Sequence, residues 1–472
     1  MFNFEKYNNR TALILSPVKK ITYQELDVIC SGIYQNIKKR CLVIILCKNE
    51  LGALASYLSC IKNKVVPILL DSKISSPLLE KIIKAYKPDF IFCKEDEHKG
   101  LEERICSFCE NYGSYKILKT PYSQAYKIHD DLALLLSTSG STGSPKFVRL
   151  SYKNLESNTS SIIQYLKIVS SDVAITSLPM NYTYGLSVIN THLERGAPCV
   201  LTNTSLMQKD FWALFDSCGV TSFSGIPYTY EMLNRLRFTQ KEHPSLRMMT
   251  QAGGHLEEKL QLLYLDYCNR YSKEFIIMYG QTEATARMAY LPYKKSLNKI
   301  GSIGIAIPDG KLFLQNERGN EVTQSGVEGE LCYKGDNVSL GYAYTGEDLC
   351  RGDDNRGLLK TGDLAKFDED GFFYITGRKK RFVKIFGNRV NLDECENLLK
   401  ENFTLTEIAC TGNDKKICIY LTDESLSSQV SSFLSKLTHL HPSVFTVKSV
   451  DKIPKNSSGK ILYEKLINLE TK

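Results

Sequence analysis

Apolar residues fall along the first third of the chain in two alternating textures. Residues 23–39 and 51–61 space their apolar positions as the buried stripe of a helix. Residues 41–46 and 65–70 are short unbroken apolar runs, the pattern of strands covered on both faces of a parallel sheet. The same kind of run recurs at 132–136, 174–178, 198–201 and 275–278. This alternation predicts an α/β architecture, with helices packed on a sheet. From about Gly301 to Tyr374 the texture changes to short β segments separated by the turn pairs Asp309-Gly310, Arg318-Gly319 and Asp370-Gly371, which predicts a β-rich lobe. After Gly377 comes the basic run Arg378, Lys379, Lys380, Arg381, followed by apolar stretches at 382–386, 392–399, 417–421, 430–437 and 444–450. They suffice for a small α+β domain, so the expected organisation is a large domain over 1–379 and a small one over 380–472.

Composition changes this picture little. A chain of 472 residues with 43% hydrophobic and 24% charged residues is ordinary globular material, too long for one core. The formal net charge of +8 arises from 60 basic and 52 acidic residues spread along the chain, which suits an anionic ligand and gives no nucleic-acid-binding arm. Glu5, Lys6 and Arg10 interrupt the start of the chain, and no apolar run approaches the ~18 residues of a membrane span. A cytoplasmic protein without a membrane segment is expected. Fifteen cysteines at irregular spacing fit a reducing compartment. Cys106 and Cys109, beside Glu102, Glu103 and Arg104 in a helix-like stretch, read as structural thiols, and His439 and His441 lack further metal ligands.

The segment Ser137-Thr138-Ser139-Gly140-Ser141-Thr142-Gly143-Ser144-Pro145-Lys146 directly follows an apolar strand. Small hydroxyl residues and glycines let backbone N–H groups approach an anion, and Lys146 adds charge, so the segment reads as a phosphate-binding loop. Its spacing is not that of a Walker A motif. A flexible linker is the plainer alternative, but linkers do not sit between a buried strand and another strand-like run. Tyr279-Gly280-Gln281-Thr282-Glu283 stands at the end of another predicted strand, where α/β proteins place ligand-binding residues. The Glu283 carboxylate suits a magnesium ion and the Thr282 hydroxyl a phosphate oxygen.

Taken in order, these pieces resemble the adenylate-forming superfamily of acyl-CoA synthetases, nonribosomal peptide synthetase adenylation domains and firefly luciferase. The resemblance covers nearly the whole chain, from Ile21-Thr22-Tyr23-Gln24-Glu25-Leu26 and Val66-Pro67-Ile68-Leu69-Leu70-Asp71 through the two motifs above. It continues through Gly301-Ser302-Ile303-Gly304, Gly329-Glu330-Leu331, Gly341-Tyr342, Thr361-Gly362-Asp363-Leu364, Gly377-Arg378 and Val383-Lys384-Ile385 with Gly387. It ends at Pro454-Lys455-Asn456-Ser457-Ser458-Gly459-Lys460.

The resemblance implies a role for each matching residue. Thr138, Ser139, Gly140, Ser141, Thr142, Gly143 and Lys146 would wrap the β- and γ-phosphates of ATP. Thr282 and Glu283 would serve the α-phosphate and Mg²⁺, while Tyr279, Gly280, Gly253 and Gly254 would lie along the nucleotide and acyl group. Asp363 would accept hydrogen bonds from the ribose, with Arg378 contributing. Lys460 would bridge the substrate carboxylate and the α-phosphate. Lys380 matches the hinge about which the small domain turns, and Lys384 and Gly387 would then face a pantetheine tunnel. Lys379 and Arg381 read as solvated charges.

Departures from the family pattern fall where the acid is chosen. Tyr182 stands where many acyl- and aryl-CoA ligases carry histidine, and Gly185 where α-amino-acid adenylation domains carry aspartate, so Tyr182, Tyr184 and Gly185 are expected to shape the acid pocket and disfavour an α-amino acid. Arg287 faces either a second anionic group on the substrate or, the plainer reading, a surface carboxylate. Tyr463 replaces a customary arginine at a position read as peripheral. The function expected from the resemblance is ATP-dependent activation of a carboxylic acid followed by transfer to a thiol, coenzyme A first. Carrier-bound phosphopantetheine on a separate acyl carrier protein and amide formation are alternatives, and a catalytically silent nucleotide binder is the reading from another class.

Overall fold

The protein is described from a computed structural model covering residues 1–97, 107–112, 114–123, 126–137, 146–379, 381–385, 388–403, 406–413, 415–438, 440–456 and 459–468. The α/β expectation is borne out. Contacts divide the chain into two compact units, Met1–Lys311 with Tyr333–Leu359, and Leu312–Cys332 with Lys360–Lys472.

Two large sheets organise the first unit. In one, Leu42–Cys47 and Val66–Asp71 run in parallel, Leu42 opposite Val66, and both strands are buried almost throughout. Their unbroken apolar sequences follow from this, because a strand covered on both faces has no solvent side on which to place polar residues. Leu132–Ser137 extends the sheet in parallel to Val66–Asp71 and is paired antiparallel with Phe147–Ser151. The phosphate-loop segment thus connects two adjacent buried strands, although residues 138–145 lie outside the described ones. The helix Tyr23–Gln35 begins with a capping box in which Thr22 Oγ1 accepts from the Glu25 N–H while the Glu25 carboxylate accepts from the Thr22 N–H. The Thr-Tyr-Gln-Glu part of the first family motif is therefore a helix start.

The second sheet carries a parallel run of Cys199–Val200, Ala174–Ile175, Ser222–Gly225, Met248–Gln251 and Glu274–Tyr279. Two of these strands are only two residues long, shorter than the apolar runs around them. Cys109 is a correction to the sequence reading, since it lies on the strand Ser107–Tyr112 instead of in a helix. Cys106 and His439 lie outside the described residues.

The second unit contains a sheet built from Lys311–Gln315, Glu321–Val322, Gly329–Lys334, Leu358–Phe367 and Phe373–Arg378, several of whose strand ends belong to the first unit. It also holds a three-stranded sheet of Ile408–Asn413, Lys416–Leu421 and Phe445–Ser449. Val383, Leu392, Leu399, Ile419, Val430 and Leu434 belong to one hydrophobic core drawn entirely from residues after Lys380. No helix among the described residues is long and apolar enough to cross a membrane.

Two buried histidines make the fold acid-sensitive. His192 Nδ1 lies 2.8 Å from the Val188 carbonyl and Nε2 lies 3.0 Å from Ser222 Oγ, an arrangement that suits a neutral ring donating from Nδ1. Burial pushes its pKa down to about 4, and burial does the same for His243. Between pH 4 and about 6.5 the unfolded chain binds protons that the folded chain refuses, so stability should be full above pH 6.5 and fall as the pH drops through this window. The loss approaches ~3 kcal/mol per histidine at the acid end. A melting midpoint unchanged between pH 7 and pH 5 would contradict this, and His192→Gln should flatten the slope.

Candidate functional site

In the first unit the segment expected to shape the acid pocket is set by a buried amide. Asn49 Nδ2 donates to the carbonyls of Thr176, Leu178 and Thr202, and its Oδ1 accepts from the Met180 N–H at 3.0 Å. This fixes the turn that delivers Tyr182 to the start of the helix Thr183–Glu194. A Cβ at Gly185 would come within 2.3 Å of the Pro179 carbonyl, so glycine is required for the helix to start against that turn. Tyr182 lies beside Gly253, where a Cβ would meet its hydroxyl at 2.5 Å and where φ is +87°. Burial pushes the Tyr182 phenol up to about 12, so it is a neutral hydrogen-bonding group at physiological pH. Tyr184 is more deeply placed, with its hydroxyl 2.8 Å from the Thr250 carbonyl. Thr250 precedes Gly253 and Gly254 on the same chain segment, so the structure brings Tyr182, Tyr184, Gly185 and Gly253 together.

The strand Glu274–Tyr279 ends at Gly280, where a Cβ would lie 1.7 Å from the Ala286 carbonyl. Between them the chain makes a single 3₁₀ turn, Thr282–Ala284, followed by left-handed backbone at Thr285 (φ +55°) and Ala286 (φ +99°). Two consecutive non-glycine residues in this region store strain of the kind concentrated at ligand sites. The turn presents both of its polar side chains. Thr282 Oγ1 lies 2.9 Å from Thr183 Oγ1, linking it to the helix Thr183–Glu194, and Tyr342 donates from its hydroxyl to Glu283 Oε1 at 2.7 Å. Burial first, then the Glu283 charge, raises the Tyr342 pKa, keeping the proton on the phenol. Lys146 Nζ stands 3.4 Å from the centre of the Tyr342 ring. Lys146, Tyr342, Glu283, Thr282 and Thr183 therefore form one linked constellation at the carboxyl end of a buried strand. Among the described residues no group of three or more His, Cys, Asp or Glu forms a metal cage.

In the second unit Asp363 and Arg378 are register partners across adjacent strands, with Arg378 Nε 3.3 Å from Asp363 Oδ1. Asp363 is buried and Arg378 largely exposed. Lys460 sits on a tight turn in which its N–H donates to Asn456 Oδ1 at 2.9 Å and its carbonyl accepts from the Asn456 N–H, with Gly459 at φ +76°. Lys384 lies on the strand Phe382–Ile385. Thr138, Ser139, Gly140, Ser141, Thr142, Gly143, Lys380 and Gly387 fall outside the described residues.

Three sequence expectations are overturned. Arg381 is not solvated: it ion-pairs with Asp393, reaches Glu396 Oε1 at 2.7 Å and the Cys410 carbonyl at 2.6 Å, and packs 3.6 Å above the Tyr463 ring. Tyr463, in place of the family's arginine, also donates to Glu396 at 2.9 Å, so this position is part of the buried cluster and not peripheral. Arg287 does not bridge to a surface carboxylate, being only 2% exposed beneath the Tyr184 ring. Sequence reasoning missed Arg149 and Asn49; the one available signal for Arg149 is an arginine in the middle of the apolar strand Phe147–Ser151.

Comparison with known proteins supplies the family. The profile described as AMP-binding enzyme matches residues 3–343. The chain belongs to the AMP-binding enzyme family. The 2-succinylbenzoate–CoA ligase of Bacillus licheniformis is 26% identical over 434 residues, spanning 89% of this chain and 88% of that one. The long-chain-fatty-acid–CoA ligase of Escherichia coli is 27% identical over 361 residues, 73% of this chain and 63% of that one. Among solved structures, o-succinylbenzoate CoA synthetase (MenE) from Bacillus subtilis with its acyl-adenylate intermediate superposes with a TM-score of 0.80 at 22% identity, over 99% of this chain and 98% of that one. ATP-bound MatB from Rhodopseudomonas palustris also gives 0.80 at 22%, over 99% and 97%. This AMP-binding enzyme therefore has the fold expected from the resemblance.

Proposed function

We propose that this AMP-binding enzyme is an AMP-forming carboxylic acid–CoA ligase. A carboxylate oxygen of the acid attacks the α-phosphorus of ATP, the bond to pyrophosphate breaks, and the acyl-adenylate forms. The thiol of coenzyme A then attacks the acyl carbon and AMP departs with the bonding electrons. The observation that carries this reading is the linked set Thr183, Thr282, Glu283, Tyr342 and Lys146 at a strand end in a member of this family. Relatives bearing CoA-ligase names support coenzyme A as acceptor.

One carboxylate with an oxygen not committed to Tyr342, and no cage of acids around it among the described residues, fits Mg²⁺, which prefers one or two protein carboxylates and takes its remaining ligands from phosphate and water. Such an ion, when bound to Glu283, neutralises charge on the phosphates. The chain's own groups do the rest. Thr282 donates to the α-phosphate, and Lys146 with the 138–143 segment holds the pyrophosphate. Gly253, Gly254, Tyr279 and Gly280 give the nucleotide and acyl group close backbone approach. Asp363 takes the ribose hydroxyls with Arg378 beside it. Lys460 neutralises the carboxylate and α-phosphate as they meet. Lys380 is the hinge of a mobile unit over 380–472, and Lys384 and Gly387 line the thiol's path. The enzyme works in the cytoplasm, where its buried free thiols stay reduced.

Acid-dependent exchange of pyrophosphate into ATP, screened over a panel of acids and followed by thioester formation with coenzyme A, tests the reading. ATP binding without exchange for any acid would overturn it, and transfer only to a phosphopantetheine carrier would move the acceptor. Tyr342→Phe removes a hydrogen bond to a charged group, and kcat/KM for ATP is expected to fall about tenfold with little change in melting. An unchanged KM for ATP would remove Tyr342 from the site.

A further inference from the structure

The turn that presents Thr282 and Glu283 ends in two consecutive left-handed residues, Thr285 (φ +55°) and Ala286 (φ +99°). A side chain opposes such a conformation, so it persists only where the surroundings over-determine it. Asn337 does this from both sides of the pair. Its Nδ2 donates to the Ala284 carbonyl at 2.8 Å and to the Arg287 carbonyl at 2.9 Å, the two residues that flank the strained step. Its backbone carbonyl accepts from Thr285 Oγ1 at 2.7 Å. Two carbonyls can be met only by the NH₂ end of the amide, which fixes its orientation, and the Tyr333 hydroxyl donates to Oδ1 at 2.8 Å.

Asn337 is itself held from outside the turn. Asn154, near the start of the helix Tyr152–Leu166, donates from Nδ2 to the carbonyls of Asp336 and Val338, both at 2.7 Å, and so grips the residues on either side of Asn337. About one helical turn later, Asn158 donates to the same Arg287 carbonyl at 2.9 Å. The Ser339 N–H donates to the Glu283 carbonyl at 2.9 Å, and the Thr285 N–H donates back to the Thr282 carbonyl at 3.1 Å. The 336–342 segment therefore holds the turn by its backbone, through Asn337 and Ser339, and by the Glu283 carboxylate, through Tyr342. Asn337 is buried, so water does not stand ready to replace its bonds.

We infer that Asn337 is a positioning residue for the metal and nucleotide: by holding Thr285 and Ala286 left-handed, it keeps the Glu283 carboxylate and the Thr282 hydroxyl aimed at Mg²⁺ and the α-phosphate. This rests on the ligase reading above, which gives those two groups their roles. Without the two hydrogens that Asn337 donates, the strained pair relaxes toward ordinary backbone and the preceding turn moves with it. Asn337 acts through the turn and not by contact with ATP. Partners of this kind, one shell behind a metal ligand, set its orientation.

The test compares Asn337→Leu, which keeps the volume and loses the amide, with Tyr333→Phe, which removes the donor to Asn337 Oδ1 and leaves both donated hydrogens in place. Metal binding is read directly: Mn²⁺ with ATP is titrated with the full chain, and the relaxation rate of water protons reports metal held on the protein. Asn337→Leu should need about tenfold more protein than the wild type to reach the midpoint. Its kcat for acid-dependent pyrophosphate exchange should fall by ~10–100-fold, with KM for the acid within about threefold. Tyr333→Phe should melt at a lower temperature yet match the wild type in both measurements. A normal Mn²⁺ titration and normal exchange in a folded Asn337→Leu overturn the inference and leave the ligase reading standing. Equal losses in the two variants overturn it as well, because the cluster would then support the fold alone. If Asn337→Leu does not fold, Thr285→Val decides: it removes only the hydroxyl bond to the Asn337 carbonyl and should shift the Mn²⁺ midpoint the same way by about threefold, and an unchanged midpoint overturns the inference. Wild-type enzyme that neither exchanges pyrophosphate with any acid nor holds Mn²⁺ with ATP overturns the ligase reading and this inference together.

Discussion

Lys460→Ala is expected to slow acyl-adenylate formation by ~10²–10³, the loss of about 3–4 kcal/mol of transition-state stabilisation. The acid's carboxylate and the α-phosphate are both anionic, so bringing them together without a mobile cation leaves the charge in the transition state unopposed. The substitution leaves the backbone contacts at this position in place: the Lys460 N–H and carbonyl are both engaged with Asn456, and Gly459 supplies the left-handed step. Melting behaviour should therefore match the wild type. A second measurement separates this role from general damage. Supplied with preformed acyl-adenylate, the variant should transfer the acyl group to coenzyme A at close to the normal rate, because the cation acts in the first half-reaction alone. Near-normal pyrophosphate exchange in Lys460→Ala would falsify the assignment.

How much of this was legible from the sequence depends on whether a residue's partners lie nearby in the chain. The strands Leu42–Cys47 and Val66–Asp71 announced themselves because burial on both faces is written directly as an apolar run. The helix start at Thr22 was visible in outline as a local motif, since a capping box spans only four residues. Glu283 and Thr282 stood out through their position after a strand, but their contacts with Tyr342 and Thr183 come from 59 and 99 residues away. Arg381 was misread for the same reason. Four consecutive basic residues look like a solvated face until Asp393 and Glu396 arrive from a neighbouring helix and Tyr463 from near the end of the chain. Arg287 shows the converse, since nothing local to it predicts that no carboxylate pairs with it among the described residues. The segment read as a phosphate loop was the plainest signal in the sequence; the two strands that bracket it pair with each other, and residues 138–145 lie outside the described ones.

Arg149→Met should cost about 3–5 kcal/mol of stability in the first unit, because it removes a fully buried guanidinium that serves five acceptors at once. The guanidinium is fully buried on the strand that follows the phosphate-loop segment. From there Nε donates to the Tyr342 carbonyl at 3.2 Å, Nη2 to the Leu340 carbonyl at 2.7 Å and to Asp354 Oδ2, and Nη1 to the carbonyls of Arg351 and Gly352. Gly341 lies so close that a Cβ would come within 3.2 Å of Arg149 Nη2. One side chain thus ties the 340–354 segment to the strand and aims Tyr342 at Glu283. Methionine fills similar volume but offers no donor, so four carbonyls and a carboxylate each lose a donor together, the Leu340 carbonyl keeping the Asp354 N–H and Asp354 keeping Arg351. Arg351 provides the control. It pairs with Asp348 and with the same Asp354, but it is half exposed, and solvent replaces much of what it gives, so Arg351→Met should cost under ~1 kcal/mol. The measurement is a denaturant midpoint for each variant alongside KM for ATP: Arg149→Met should show a large midpoint shift and weakened ATP binding together, and Arg351→Met neither. Equal midpoints for the two variants would mean that the buried fork holds the segment no better than a surface pair does, and that Tyr342 finds Glu283 without it.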